Sequence, residues 1–289
     1  MMKIQAYKSV NQTHPAMKVF MQFVKWFLIL FFAFYTLFPL LWLLMTSLKT
    51  NAEFFANPFT PPAVPQFVNF YNAFTQANLG RLIFNSITVA AVATLLNVMI
   101  AAMAAYAIAR FRYKGREVIF AVISAGIMVP LNALMVPYFT IFLRLDLLDS
   151  LNALRILYTA IGLPISIFII RGFMDSFPLE IEEASYIDGC GFYRRFFLIV
   201  LPLTKTGLVT AGTFQFITAW NEFVYANLLM TSPENRTIQI GIRFFTNQFT
   251  TDFVSMYAAI IIAIVPSIIG FILFQERVIS GLTTGAVKG

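Results

Sequence analysis

Cysteine and histidine are almost missing from this chain: Cys190 and His14 are the only ones in 289 residues. One thiol closes no disulfide within the chain, and a single imidazole cannot build a side-chain metal cage, so no metal site is expected. There is no Gly-x-x-x-x-Gly-Lys-[Ser/Thr] phosphate loop, no nucleophile elbow and no His-rich run, so no catalytic residue can be nominated. Charge is scarce too. Asp, Glu, Lys and Arg make up 11% of the chain, where soluble domains carry about a quarter. The net charge of +7 is spread over the ends of apolar runs rather than gathered on one soluble face, which argues against nucleic-acid binding.

What the chain has is apolar length. It is 59% hydrophobic with a mean hydropathy of +0.78, the signature of an all-α, polytopic integral membrane protein. Hydropathy places six spans at about Trp26–Leu48, Leu82–Ala109, Val118–Phe142, Ile156–Met174, Leu203–Met230 and Phe253–Gln275, each near the twenty residues a crossing needs. Residues 1–25 form a polar, basic leader to the first span. No small-residue cleavage site follows that span, so it reads as an uncleaved anchor. An even number of spans puts both termini on one side. With that side fixed, fourteen basic residues flank the spans there against six opposite, accounting for all twenty; by the positive-inside rule the termini are cytoplasmic. Arg171, in the fourth span, is expected to snorkel toward the headgroups.

Residues 176–202 then fall on the cytoplasmic side, between the fourth and fifth spans. With the adjoining Asp175, this stretch holds Glu180, Glu182, Glu183 and Asp188, five of the thirteen carboxylates. Such an island cannot lie in lipid. Its first half predicts a short helix capped near Ser176 or Phe177, with Pro178 in the first turn and acids where the helix dipole favours them. Gly189 and Gly191 end it, since glycine accepts the positive φ of a helix stop. A second segment, Phe192 to Val200, leads to Leu201-Pro202 and the next span. The pattern is a helix–turn–helix held at the membrane surface.

Glu183-Ala184, then Gly189, Ile199 and Leu201-Pro202 at fixed spacing, resemble the Glu-Ala-Ala loop of the permease subunits of binding-protein-dependent ABC importers. Ser185 stands where that family has a second alanine, and Asp188 matches the form found in sugar importers. Six identities at fixed spacing have a chance probability on the order of 10⁻⁵ from average residue usage. The resemblance implies a type I importer bundle of six transmembrane helices, inserted in a prokaryotic inner membrane. Its loop would be gripped by an ATPase through Glu182, Glu183, Ala184, Ser185, Asp188, Gly189, Ile199, Leu201 and Pro202. It also implies a second homologous permease, an ATPase dimer that carries ATP and Mg, an extracytoplasmic solute-binding protein and a carbohydrate cargo, with no cofactor on this chain. An importer of another solute class shares the loop pattern. A self-sufficient channel or secondary transporter is the alternative of a different kind.

The spans and outer loops supply further candidates. Ala93, Asn97, Ala101, Ala105 and Ala109 recur every four residues, a small-residue face that lets helices approach closely. In the fifth span Ala211, Gln215, Thr218, Glu222 and Tyr225 fall on one helical stripe. Lipid would reject Gln215 and Glu222, so the stripe, with Asn97 and Asn221, is a candidate lining of the translocation pathway. Trp220-Asn221-Glu222-Phe223 is similar to a segment of the same family. The proline-rich loop 49–80 reads as an extended surface stretch. Two shorter outer loops cover 143–155 and 231–252, and the latter offers Asn235, Gln239, Arg243, Asn247 and Gln248 to a binding protein. Residues 276–289 form a cytoplasmic tail similar to that of the maltose-type second permease, implying an ATPase contact by Gly285, Ala286, Val287, Lys288 and Gly289.

Overall fold

The computed structural model describes residues 15–245 and 252–286. Among the described residues every regular element is helical. The chain runs α1 (Pro15–Ser47), α2 (Asn51–Ala56), α3 (Val68–Gln76), α4 (Leu79–Arg110), α5 (Arg116–Ala125), α6 (Met135–Arg144), α7 (Leu151–Met174), α8 (Glu180–Ile187) and α9 (Phe192–Arg195). After a π-turn at Phe196–Val200 come α10 (Leu201–Leu203), α11 (Lys205–Asn221), α12 (Val224–Leu229), α13 (Ile238–Gly241) and α14 (Phe253–Ala286). Four helices, α1, α4, α7 and α14, are each long and apolar enough to cross a membrane alone. Counting each of two bent pairs as one crossing brings the number to six.

Those bends correct two of the expected spans. The third is not one rod: Arg116–Met128 and Leu131–Arg144 meet at 93°. Pro130 lacks the amide a helix needs there, and it forces Val129 into an extended conformation, ψ 122°. The fifth is bent by 76° between Phe192–Leu203 and Lys205–Asn221, where Pro202 lies just before the corner at Thr204. It breaks again at Glu222, whose ψ of 124° takes it out of the helix. The stripe drawn through Glu222 and Tyr225 therefore does not continue as one helical face.

The core sits where α4, α7 and α11 cross. Ala93, Asn97, Ala101 and Ala105 of α4 are fully buried and Ala109 is half-buried, so most of the small-residue face packs against neighbouring helices. By contrast, α1 is exposed from Met17 to Leu41 apart from Val24. It meets the rest of the chain over its last turns, where Trp42 lies edge-on to Tyr257 of α14.

The segment 49–80 is more ordered than an extended stretch. Thr50 and Glu53 close a capping box on α2, satisfying two amides that a helix start leaves open. Lys49 is fully buried and its Nζ donates to the carbonyls of Asn57 and Pro58, at 2.9 and 3.1 Å. Asn69 of α3 donates to the carbonyls of Ser47 and Lys49. At the far end of the chain, α14 continues past Gln275 to Ala286, so Gly285 and Ala286 lie on helix. Val287, Lys288, Gly289, Asn247 and Gln248 lie outside the described residues.

Candidate functional site

The acidic loop is a built object. Its helix, α8, begins at Glu180, two residues beyond Pro178, and no side chain caps it; the expected cap at Ser176 or Phe177 is replaced by a turn. Its end follows the expectation at Gly189. That residue takes φ +77°, its amide donates to Tyr186 O and that of Cys190 to Ser185 O. This is the paired arrangement that satisfies the last carbonyls of a helix. Gly191 keeps a negative φ of −64° and serves as the lead into α9.

The acids of α8 divide by side. Glu180, Glu183, Ala184 and Asp188 are exposed, alongside Tyr186 at 72% and Ile187 at 84%. Tyr186 and Ile187 thus form an exposed apolar tip beside carboxylates. Glu182 and Ser185 are instead buried. Glu182 faces inward, 2.5 Å from Arg110 Nε at the end of α4, and accepts from the Tyr106 hydroxyl at 3.0 Å. Ser185 closes on its own helix through Glu182 O. Ile199 and Leu201 are half-buried and Pro202 exposed, at the corner that carries the loop into α11. An open cleft of about 430 Å³ lies between α8 and the ends of α4 and α9, lined by Tyr106, Arg110, Glu182, Glu183, Tyr186 and Arg195.

Arg171 does not reach for headgroups. It is 9% exposed, donates to both carboxylate oxygens of Glu117 at 2.8 and 2.9 Å, and stacks 3.9 Å from the Phe120 ring. It ties the end of α7 to the start of α5.

Within the helix bundle, the two amides singled out in the sequence are brought together. Asn97 Nδ2 donates to Thr159 O, and Gln215 Nε2 to Tyr158 O, both at 2.8 Å. Gly162, one turn on, makes the room. A β-carbon there would lie 1.8 Å from Gln215 Oε1 and 2.9 Å from Asn97 Nδ2. Glu222 acts as a cap: its carboxylate accepts from the amides of Tyr225 and Ala226 and from the Tyr158 hydroxyl at 2.6 Å. Tyr225 in turn donates to Leu131 O, joining the break in the fifth span to that in the third. Thr218 and Asn221 stay exposed, though each bonds a carbonyl of its own helix. A small cavity of about 100 Å³ is bordered by Tyr158, Gly162, Gln215, Thr218, Glu222 and Tyr225. Gln215, Glu222 and Asn97 thus hold helices together, and the exposed Thr218 and Asn221 are the pathway candidates that look outward.

At the opposite end, Asn235 turns inward and donates to Asp149 O. Asp149 itself accepts from the amides of Thr231 and Ser232 and from the Ser232 hydroxyl. Burial raises its pKa, but the Ser232 hydroxyl and the two amides outweigh that and leave its carboxyl below the ordinary value. Gln239 is half-buried, and Arg243 is exposed, donating to Asn227 at 2.8 Å. Tyr106, Arg110, Tyr158 and Asp149 were not among the residues singled out from the sequence. Arg110 had a signal: a cation ending an apolar run, where a carboxylate-rich loop can meet it.

These features define a class: a polytopic helical membrane subunit with a surface helix locked onto its bundle. A family profile described as "Binding-protein-dependent transport system inner membrane component" matches residues 97–280. The chain belongs to that family. It is 41% identical over 254 residues to the sulfoquinovosyl glycerol transport system permease protein SmoH of Agrobacterium fabrum, covering 88% of this chain and 89% of that one. It is 32% identical over 252 residues to the diacetylchitobiose uptake system permease protein NgcG of Streptomyces coelicolor, covering 86% and 83%. In fold it is similar to a chain in the crystal structure of a bacterial ABC transporter that imports the acidic polysaccharide alginate. The TM-score is 0.81 at 21% identity, over 92% of this chain and 99% of that one.

Proposed function

We propose that this protein is one of two homologous permease subunits of an ATP-driven importer that takes a carbohydrate from an extracytoplasmic binding protein. The observation that carries the reading is α8: a short, well-stopped helix whose exposed tip presents Glu183, Ala184, Tyr186 and Ile187 while its other face is tied to the bundle. Relatives named for the transport of sulfoquinovosyl glycerol and diacetylchitobiose support a sugar or glycoside as cargo, and an oligosaccharide fits best. A neighbouring structure that contains a periplasmic protein holding an alginate pentasaccharide supports a binding-protein partner.

In this reading the termini and α8 face the cytoplasm. ATP and Mg sit on a separate ATPase dimer, whose closure carries α8 inward. The bundle then tilts about the Asn97–Gly162–Gln215 junction, opening a central passage outward as the binding protein releases its sugar. Glu183 offers charge to a basic residue of the ATPase, Ala184 lets the surfaces seat closely, and Gly189 sets the angle. The test is to purify the chain with its partners from native membranes and measure uptake in vesicles. ATP-dependent uptake of one carbohydrate, only with the binding protein present, is expected. Uptake by this chain alone without ATP would overturn it, and dependence on a non-sugar solute would overturn the cargo.

A further inference from the structure

We propose that the Arg110–Glu182 ion pair is a latch through which α8 moves α4. Force applied to α8 would then enter the bundle at the end of α4 rather than along the connections on either side of α8. This rests on the reading of α8 as the docking element of an ATPase. The connections themselves are poor levers. On one side α8 hangs from α7 by residues 175–179. On the other it is joined to α9 through Gly189, in the left-handed region at φ +77°, and Gly191, and glycine is where a chain bends most easily.

Arg110 bypasses both connections. Its Nε lies 2.5 Å from Glu182, and its Nη2 donates to Met174 O at 2.7 Å and Phe177 O at 3.2 Å. Its guanidinium stacks 4.3 Å from the Phe177 ring. One side chain of α4 therefore grips the end of α7, the connector and α8. Tyr106, one turn earlier on α4, adds a second point by donating to the other Glu182 oxygen and accepting from Arg195 Nε. Glu182 is 5% exposed, so the pair is shielded from the salt screening that weakens surface pairs. A planar guanidinium making several bonds at once also fixes angle as well as distance. From Arg110 the helix runs without a break to Asn97 and its bond across to α7. The latch is thus continuous with the three-helix junction.

Arg110 and Glu182 are positioning residues, so the readout must be coupling rather than yield. The complete complex, reconstituted in vesicles with its binding protein, would be assayed for solute delivered per ATP hydrolysed. Glu182→Gln and Arg110→Met should each lower that ratio about tenfold, with the double variant no worse than the poorer single one, as residues acting as one unit behave. With Arg110→Met, the ATPase subunits should still co-purify and hydrolyse ATP. As a second measurement, Arg110→Cys and Glu182→Cys in a Cys190→Ser chain would be bridged by a short thiol-specific cross-linker. Bridging should raise the ratio relative to the same chain unbridged, which separates coupling from a loosened fold. An unchanged ratio in Glu182→Gln, or no gain on bridging, overturns the latch. Failure of the parent chain to hold any ATPase would instead overturn the underlying function.

Discussion

Replacing Gly162 by alanine adds one methyl group at the point where three helices interlock. Its carbon would lie 1.8 Å from Gln215 Oε1, 2.6 Å from Gln215 Cδ and 2.9 Å from Asn97 Nδ2. All three atoms are ends of flexible side chains, so the backbones need not part; the amides must leave. With them go the bonds from Gln215 to Tyr158 O and from Asn97 to Thr159 O. A buried polar group left unpaired costs about 1–3 kcal/mol, although bonds between membrane helices average nearer ~0.6 kcal/mol. Alanine returns up to about 1 kcal/mol of helix propensity. The net loss expected is about 1–3 kcal/mol, a fall of roughly 5 °C in the melting temperature of the purified protein. Adding Gln215→Ala empties the contested space, so the double variant should melt above Gly162→Ala alone. A Gly162→Ala protein that melts like the parent, or a double variant whose losses simply add, would refute the interlock.

Gly189→Asp places a side chain at φ +77°, a strain of about 1–2 kcal/mol, and Glu183→Lys reverses the charge on the exposed face of α8. Both should abolish uptake while the chain still inserts, measured by transport beside membrane yield; normal uptake with either would contradict α8 as the element that an ATPase moves. Glu222→Ala removes the acceptor for two amides at the start of α12 and should cost about 1–2 kcal/mol as lost caps do, read by thermal melting; a transport defect at unchanged melting would make Glu222 a pathway residue instead. Asp149 has a depressed pKa, so its stabilisation of the 231–235 segment is complete above the unfolded value of about 3.9 and is lost as pH falls through the lower folded value. Amide exchange at Thr231 and Ser232 should accelerate in that acid window and at all pH values in Asp149→Asn; protection that ignores both would contradict the clamp.

Much of the frame was legible because apolar length and charge asymmetry are coarse signals. The second span, expected at about Leu82–Ala109 and found at Leu79–Arg110, the small face of α4 and the glycine stop at Gly189 follow from residue type and spacing alone. The bends were harder. A proline stands at each, Pro130 and Pro202, but a proline inside an apolar run is compatible with a mild kink or with the 93° and 76° turns found here, and only packing decides. The break at Glu222 has neither proline nor glycine to announce it; there the carboxylate accepts from the amides of Tyr225 and Ala226, which the start of the next helix leaves open. Glu182 and Glu183 are neighbours of one kind, and adjacent helix positions point about 100° apart. Which of them faces a partner and which faces Arg110 depends on how α8 sits against α4, a tertiary fact.

The central claim is that α8 is gripped by a nucleotide-binding polypeptide, and its most exposed large apolar side chain is Ile187. The most direct measurement is a cross-link from Ile187→Cys, in a Cys190→Ser chain, in native membranes. A product containing an ATPase subunit, its yield changing when nucleotide is added, is the expected result. A probe at position 187 that reaches only water, lipid or other copies of this chain would contradict the claim.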